Sequence, residues 1–375
     1  MLSERVQRIE PSGIRRIFEL MASLEDPINL SIGQAHYDPP EALVEAACRA
    51  MRDGFNRYTV TQGLPDLNEK VLESLQKRSG HRPEASLITS GVSGGILLGF
   101  MALLDPGDVV LLPDPNFTMY RVLAELCGAE VRFYDCYPTA DRRAFEPDPA
   151  CFDELVCEKT KVVFLNSPSN PTGGLLSQPV IDAAVRAAER VGATVVSDEI
   201  YDAFVYDGNY ASPLGSYDKV LQLGGFSKTY GVPGWRMGYA TGPSELLDAM
   251  KTLQQFTFVC APAPFQVAVN EVAFGLDLSN YLEEYRGKRD RLAAELDPAY
   301  DLVRPGGSFY AFPKVPHDVE VLRFVDAAVE RNLLIVPGSA FSSRSTHFRL
   351  SFAIDDDGLG RGIEVLNELA RDFAG

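Results

Sequence analysis

Through the middle of the chain, short β-branched apolar runs alternate with longer stretches whose apolar residues recur every three or four positions. The runs 86–91, 109–113, 131–135, 161–166, 194–198, 220–223 and 237–241 predict strands. Helical periodicity is clearest over 180–191, where Ile181, Ala184, Val185 and Ala188 follow the i, i+3, i+4, i+7 spacing of one helix face. Gly192 then stands where a stop signal belongs. Strands alternating with helices predict an α/β fold, a mostly parallel seven-stranded sheet flanked by helices. Ligands of such sheets sit beyond the carboxyl ends of the strands. Val92, Ser93, Asn170, Asp198 and Lys228 all fall at or just after predicted strand ends.

The two ends of the chain read differently. Residues 1–30 begin as a polar, partly amphipathic arm. A charged helical stretch at 281–296 precedes predicted strands at 308–312 and 348–352. We expect 46–280 to form a large domain and 281–375 a smaller α+β domain, joined by the arm and the rest of 1–45. At 375 residues the chain is long enough for both.

Composition narrows the partners. A formal net charge of −17 argues against nucleic acid and anionic membranes. No apolar run reaches transmembrane length, and the first residues carry no signal-peptide core. The six cysteines form no CxxC pair, and with four scattered histidines no metal-ligand pattern stands out. These features predict a cytoplasmic protein with reduced thiols and no metal.

The chemistry concentrates in Ser227-Lys228-Thr229-Tyr230-Gly231-Val232-Pro233-Gly234-Trp235-Arg236-Met237-Gly238-Tyr239. Gly231, Pro233 and Gly234 rule out a continuous helix between Lys228 and Arg236, so the segment is a shaped loop. Arginine offers a fork of donors suited to phosphate. A lysine amine condenses with an aldehyde. Pyridoxal 5′-phosphate carries both groups. Asp198, closing an apolar strand, is costly to bury unpaired, and a carboxylate there would keep a pyridine nitrogen protonated. Tyr201 follows within reach of the ring's phenolic oxygen. The glycine-rich turn at 89–95 offers Val92 and Ser93 backbone amides at a helix start, a site for phosphate. Taken singly, each has a plainer alternative: a surface lysine, a salt-bridge arginine, an N-cap aspartate, a common glycine turn.

The loop closely resembles the lysine signature of the class I/II aminotransferases, the fold-type I family of pyridoxal-phosphate enzymes, and further motifs resemble it in family order between about Ser31 and Ala353. In Asn166-Ser167-Pro168-Ser169-Asn170-Pro171-Thr172-Gly173, the resemblance gives Asn170 a bond to the cofactor's phenolic oxygen and a place beside the substrate. It makes Phe117 the aromatic residue stacked on the ring, and Arg349 the bidentate clamp for the substrate α-carboxylate, with Gly33 beside it. It places Ser227 and Arg236 among the cofactor-binding residues. Tyr58 would reach the phosphate of a neighbouring subunit, which implies a homodimer. The plainer alternatives are a tight turn at Asn170, a core phenylalanine, a structural salt bridge and a tyrosine buried in a turn.

Three positions depart from the family pattern. Gly225 stands where a phosphate-binding serine is usual, so one donor is missing, and Gly225→Ser is expected to tighten cofactor binding slightly. His36 and Tyr37 replace the usual acidic and phenylalanine neighbours of Gly33. The activity implied is a ping-pong aminotransferase. It would exchange an amino group between an L-amino acid, such as aspartate or an aromatic one, and a 2-oxo acid such as 2-oxoglutarate. Lys228 would be the catalytic base. The alternatives are a pyridoxal-phosphate carbon–sulfur β-lyase on the same fold and a non-catalytic pyridoxal-phosphate-binding regulator. The regulator fits poorly with an arm of about thirty residues and an acidic chain.

Overall fold

The computed structural model describes residues 2–7, 9, 24–207 and 210–374. Most of the expected N-terminal arm, residues 10–23, lies outside the described residues. One seven-stranded sheet organises the middle of the chain. Its strands are β1 (Ala85–Ser90), β2 (Val109–Asp114), β3 (Glu130–Asp135), β4 (Thr160–Asn166), β5 (Thr194–Asp198), β6 (Val220–Gly225) and β7 (Met237–Gly242). They lie in the order β1-β7-β6-β5-β4-β2-β3. Only β7 runs against its neighbours. Every predicted strand is present, with ends shifted by two residues at most. Gly91, expected to close the first strand, instead turns with φ 67° and opens a helix, α1 (Gly91–Leu103).

Both faces of the sheet are covered, so its central strands are apolar throughout rather than alternating. Val109, Leu111, Val163, Leu165 and Val195 enter one core. Val110, Leu112, Val162, Phe164 and Val196, one residue out of phase, enter the other. The helix α2 (Gln178–Val191) packs Val180, Ile181, Ala184 and Ala188 into the first core. It ends at Gly192 with φ 70°, the left-handed conformation glycine takes at little cost.

The C-terminal region builds a further core. It combines α3 (Ser279–Glu295), α4 (Val321–Glu330) and α5 (Asp356–Phe373) with a small antiparallel sheet. That sheet holds β8 (Tyr310–Ala311), β9 (Val336–Pro337) and β10 (Phe348–Ser351), with β10 in the middle. β8 is shorter than the sequence predicts, because Ser308 adopts a left-handed φ of 54° that breaks the extended backbone. Ile28–Asn29 pairs with Leu333–Leu334, and Ile28 and Leu30 enter this core. Ile200, Tyr201 and Phe204, just beyond β5, enter it as well. The carboxyl edge of the large sheet therefore abuts the small one.

Candidate active site

The antiparallel strand shapes the site. The chain leaves β6 at Gly225, passes Lys228 and returns into β7 immediately after Arg236. Because β7 runs backwards, both residues lie at the carboxyl edge of the parallel strands. The register pairs Gly225 with Gly238 and Ser90 with Met237, so this loop adjoins the start of α1. Arg236 takes φ 53° and ψ 47°, a left-handed conformation costing a non-glycine residue roughly 1–2 kcal/mol. A Cβ added at Gly91 would stand 2.7 Å from Arg236 Nη2. The guanidinium is thus set against the first turn of α1, whose leading N–H groups have no helical acceptor.

Beside this turn opens a cavity of about 220 Å³. Gly33, Val92, Ser93, Phe117, Asn170, Asp198, Tyr201, Ser227, Lys228, Arg236 and Arg349 all line it. Residues separated by more than 300 positions are thereby gathered around one volume. Tyr58 is the exception among the expected residues. It is 83% exposed and does not line the cavity.

Lys228 Nζ donates to the Gly33 carbonyl at 2.6 Å. Burial, then the Arg349 and Arg236 charges, lower its pKa to about 8, against the opposing pull of Asp198. Asp198 is buried, and burial lifts its carboxyl to about 6. Two donors work against that shift: the Tyr120 hydroxyl at 2.7 Å and the Ile200 amide at 3.1 Å. A half-buried amine that sheds its proton easily and a carboxylate held among donors thus face one space.

Arg349 is buried and tightly framed. It donates to Asn170 Oδ1 at 3.0 Å and to the Ser31 carbonyl at 2.7 Å. Its guanidinium lies 4.5 Å from the ring centre of Tyr310 and 4.8 Å from that of Phe341. Each terminal nitrogen spends one of its two N–H groups on these hydrogen bonds, so donors remain for an incoming anion. Asn170 is fixed in turn by Asn166, whose Oδ1 accepts the Asn170 amide and whose Nδ2 donates to the Asp198 carbonyl. The Tyr201 hydroxyl meets that of Tyr310 at 3.0 Å.

Sequence reasoning missed Tyr120 and Tyr310. Each lies in or beside a recognised run, but its partner is 78 or 109 residues away, and no local pattern announces such a contact. It also misjudged the space at Gly225. A Cβ there would meet Ile200 Cδ1 at 2.8 Å and Val92 Cγ2 at 3.3 Å. The place of the absent serine is filled by the Ile200 methyl.

A phosphate could be held by the α1 amides and Arg236, an aldehyde by Lys228, a ring nitrogen by Asp198, and a substrate carboxylate by the unpaired donors of Arg349. The donor set therefore fits pyridoxal phosphate. The family model "Aminotransferase class I and II" matches residues 25–366. The chain belongs to this family. The aminotransferase is 32% identical to the probable aspartate aminotransferase of Methanocaldococcus jannaschii, over 98% of this chain and all of that one. It is 31% identical to the aspartate/prephenate aminotransferase of Thermus thermophilus, over 97% of both. The solved structure of the Thermotoga maritima aspartate aminotransferase superposes with a TM-score of 0.92 at 28% identity, covering 99% of this chain and all of that one. The fold is thus fold-type I, and the chain is a pyridoxal-phosphate-dependent aminotransferase. Among the described residues, no helix is long and apolar enough to cross a membrane, and no cluster of three or more His, Cys, Asp or Glu side chains could hold a metal.

Proposed function

We propose that the aminotransferase exchanges an amino group between an L-amino acid, with aspartate a leading candidate, and a 2-oxo acid such as 2-oxoglutarate, in two half-reactions. The observation that carries this reading is the half-buried Lys228 amine, its pKa lowered to about 8, facing Asp198 and Arg349 across one cavity. When bound, pyridoxal phosphate supplies an aldehyde carbon that accepts amines and a ring that draws electrons from the substrate Cα. Lys228 anchors the cofactor at rest. Once the amino acid has displaced it, its free Nζ would take the proton from the substrate Cα and pass it to the cofactor's aldehyde carbon, and a 2-oxo acid would run the same transfer in reverse. Asp198 keeps the ring nitrogen protonated. Asn170 and Tyr201 hold the phenolic oxygen, and Phe117 covers the ring. The Val92 and Ser93 amides, Ser227 and Arg236 grip the phosphate. Arg349 receives the substrate α-carboxylate, with Asn170 and Gly33 beside it.

The exposed Tyr58 is free to reach a neighbouring subunit, which supports a homodimer with shared sites. We assign 46–280 to the cofactor-binding domain and 281–375, with 1–45, to the smaller one, and place the protein in the cytoplasm. The cations among the described lining residues are Lys228, Arg236 and Arg349, and each has a role above. The distal carboxylate of aspartate would thus need a cation from the partner subunit or from outside the described residues. Aromatic, alanine or methionine side chains need none. A panel of these amino acids with 2-oxoglutarate tests the reading. Glutamate should accumulate, and the cofactor's absorption should change on adding the donor alone. Pyruvate and ammonia appearing without an oxo-acid acceptor would instead mean a lyase.

A further inference from the structure

Tyr310 sits at the meeting point of three site elements. Its hydroxyl lies 3.0 Å from that of Tyr201, and both residues are buried. Its ring carries the Arg349 guanidinium 4.5 Å from its centre. Its hydroxyl presses so close to Gly33 that a Cβ there would stand 2.2 Å away. The ring is also held edge-on to Tyr201, with centres 5.6 Å apart and planes at 81°. These contacts leave the hydroxyl little freedom to swing elsewhere.

We propose that Tyr310 is a positioning residue for the cofactor's phenolic oxygen: its hydroxyl donates to Tyr201, leaving the Tyr201 proton free for that oxygen. The inference rests on the reading above that Tyr201 faces this oxygen. A phenol has one proton to donate. If Tyr201 gives its proton to the cofactor, the 3.0 Å contact survives as a hydrogen bond only with Tyr310 as donor. The two hydroxyls then form a relay, in which each bond polarises the next. Burial raises the Tyr310 pKa, so its proton stays in place, while the adjacent Arg349 charge and the contact with Tyr201 pull the other way. A hydrogen bond to the phenolic oxygen stabilises its anionic form, so weakening the relay shifts that oxygen's titration upward.

The test is an absorbance-monitored pH titration of the holoenzyme in four forms: wild type, Tyr201→Phe, Tyr310→Phe and the double variant. Loss of the direct donor in Tyr201→Phe should raise the midpoint of the cofactor's absorption change by about one to two pH units. Tyr310→Phe should raise it by about half a unit, and the double variant should match Tyr201→Phe, because the relay has one outlet. The KM for the amino donor should stay within about twofold in Tyr310→Phe, since its ring still faces Arg349. A purely structural role for Tyr310 would leave the midpoint alone. A wild-type midpoint in Tyr310→Phe, or additive shifts in the double variant, would overturn the relay while Tyr201→Phe still supports the site. No shift in Tyr201→Phe would overturn the site assignment, and the relay with it.

Discussion

Gly33→Ala is the sharpest test of the site's geometry, because one methyl group meets a fixed obstacle. The new Cβ would lie 2.2 Å from the Tyr310 hydroxyl oxygen and 3.3 Å from Cζ. Close carbon–oxygen contacts settle at about 3.3 Å or more, so the hydroxyl or the Gly33 backbone must move by about 1 Å. Either movement damages the site. Displacing the hydroxyl breaks its 3.0 Å contact with Tyr201, and displacing the backbone carries away the carbonyl that Lys228 Nζ meets at 2.6 Å. A misplacement of about 1 Å costs on the order of a hundredfold in rate, and overpacking a close-fitted site costs about 1–3 kcal/mol in stability. Stopped-flow measurement of the donor half-reaction should show kcat/KM falling by about that hundredfold, with a lower thermal midpoint. The collision is with an oxygen, so its removal should relieve it. In a Tyr310→Phe background the nearest atom is Cζ at 3.3 Å, which a few tenths of an ångström accommodate. Gly33→Ala should then cost less than about tenfold. Equal losses in both backgrounds would refute the reasoning, as would wild-type activity in the single variant.

The same geometry fixes other outcomes. In Tyr120→Phe, Asp198 loses a donor that favours its ionised form, so its pKa rises from about 6 by roughly one to two units. Cofactor affinity, measured by titration of the apoenzyme, should then fall off on acidification one to two units earlier than in the wild type; an unmoved acid limb would separate Tyr120 from the function of Asp198. The lowered pKa of Lys228 means the apoenzyme amine is half neutral near pH 8. The rate of cofactor uptake should therefore rise with pH through about 8 and level off, whereas a climb continuing past 10 would show an ordinary lysine. Gly225→Ser alone should not tighten cofactor binding, because Ile200 Cδ1 occupies the space. Combined with Ile200→Val it should tighten binding about fivefold, roughly 1 kcal/mol. Tighter binding in the single variant would mean that Ile200 yields unaided.

What the sequence reveals follows the range of the interactions. The seven strands and α2 are legible because their signals are local, with apolar period and stop residues within one element. Val92, Ser93, Asn170 and Lys228 are legible because each sits in a run whose glycines and prolines fix a turn at a strand end, and strand ends of a parallel sheet converge. The antiparallel β7 was not legible, since nothing in its residues records direction, yet it is what brings Arg236 back beside Lys228. The partners of the site residues were hidden for the same reason. Tyr120 reaches Asp198 across three strands' worth of chain, and Tyr310 meets both Tyr201 and Gly33 from the smaller sheet. Gly225 shows how a local reading goes astray: the missing hydroxyl is visible in the sequence, but the Ile200 methyl that takes its place is visible only once the loop after β5 packs across β6. Substituting the familiar residue at one position therefore does not restore the familiar site, because its neighbours have adjusted to its absence.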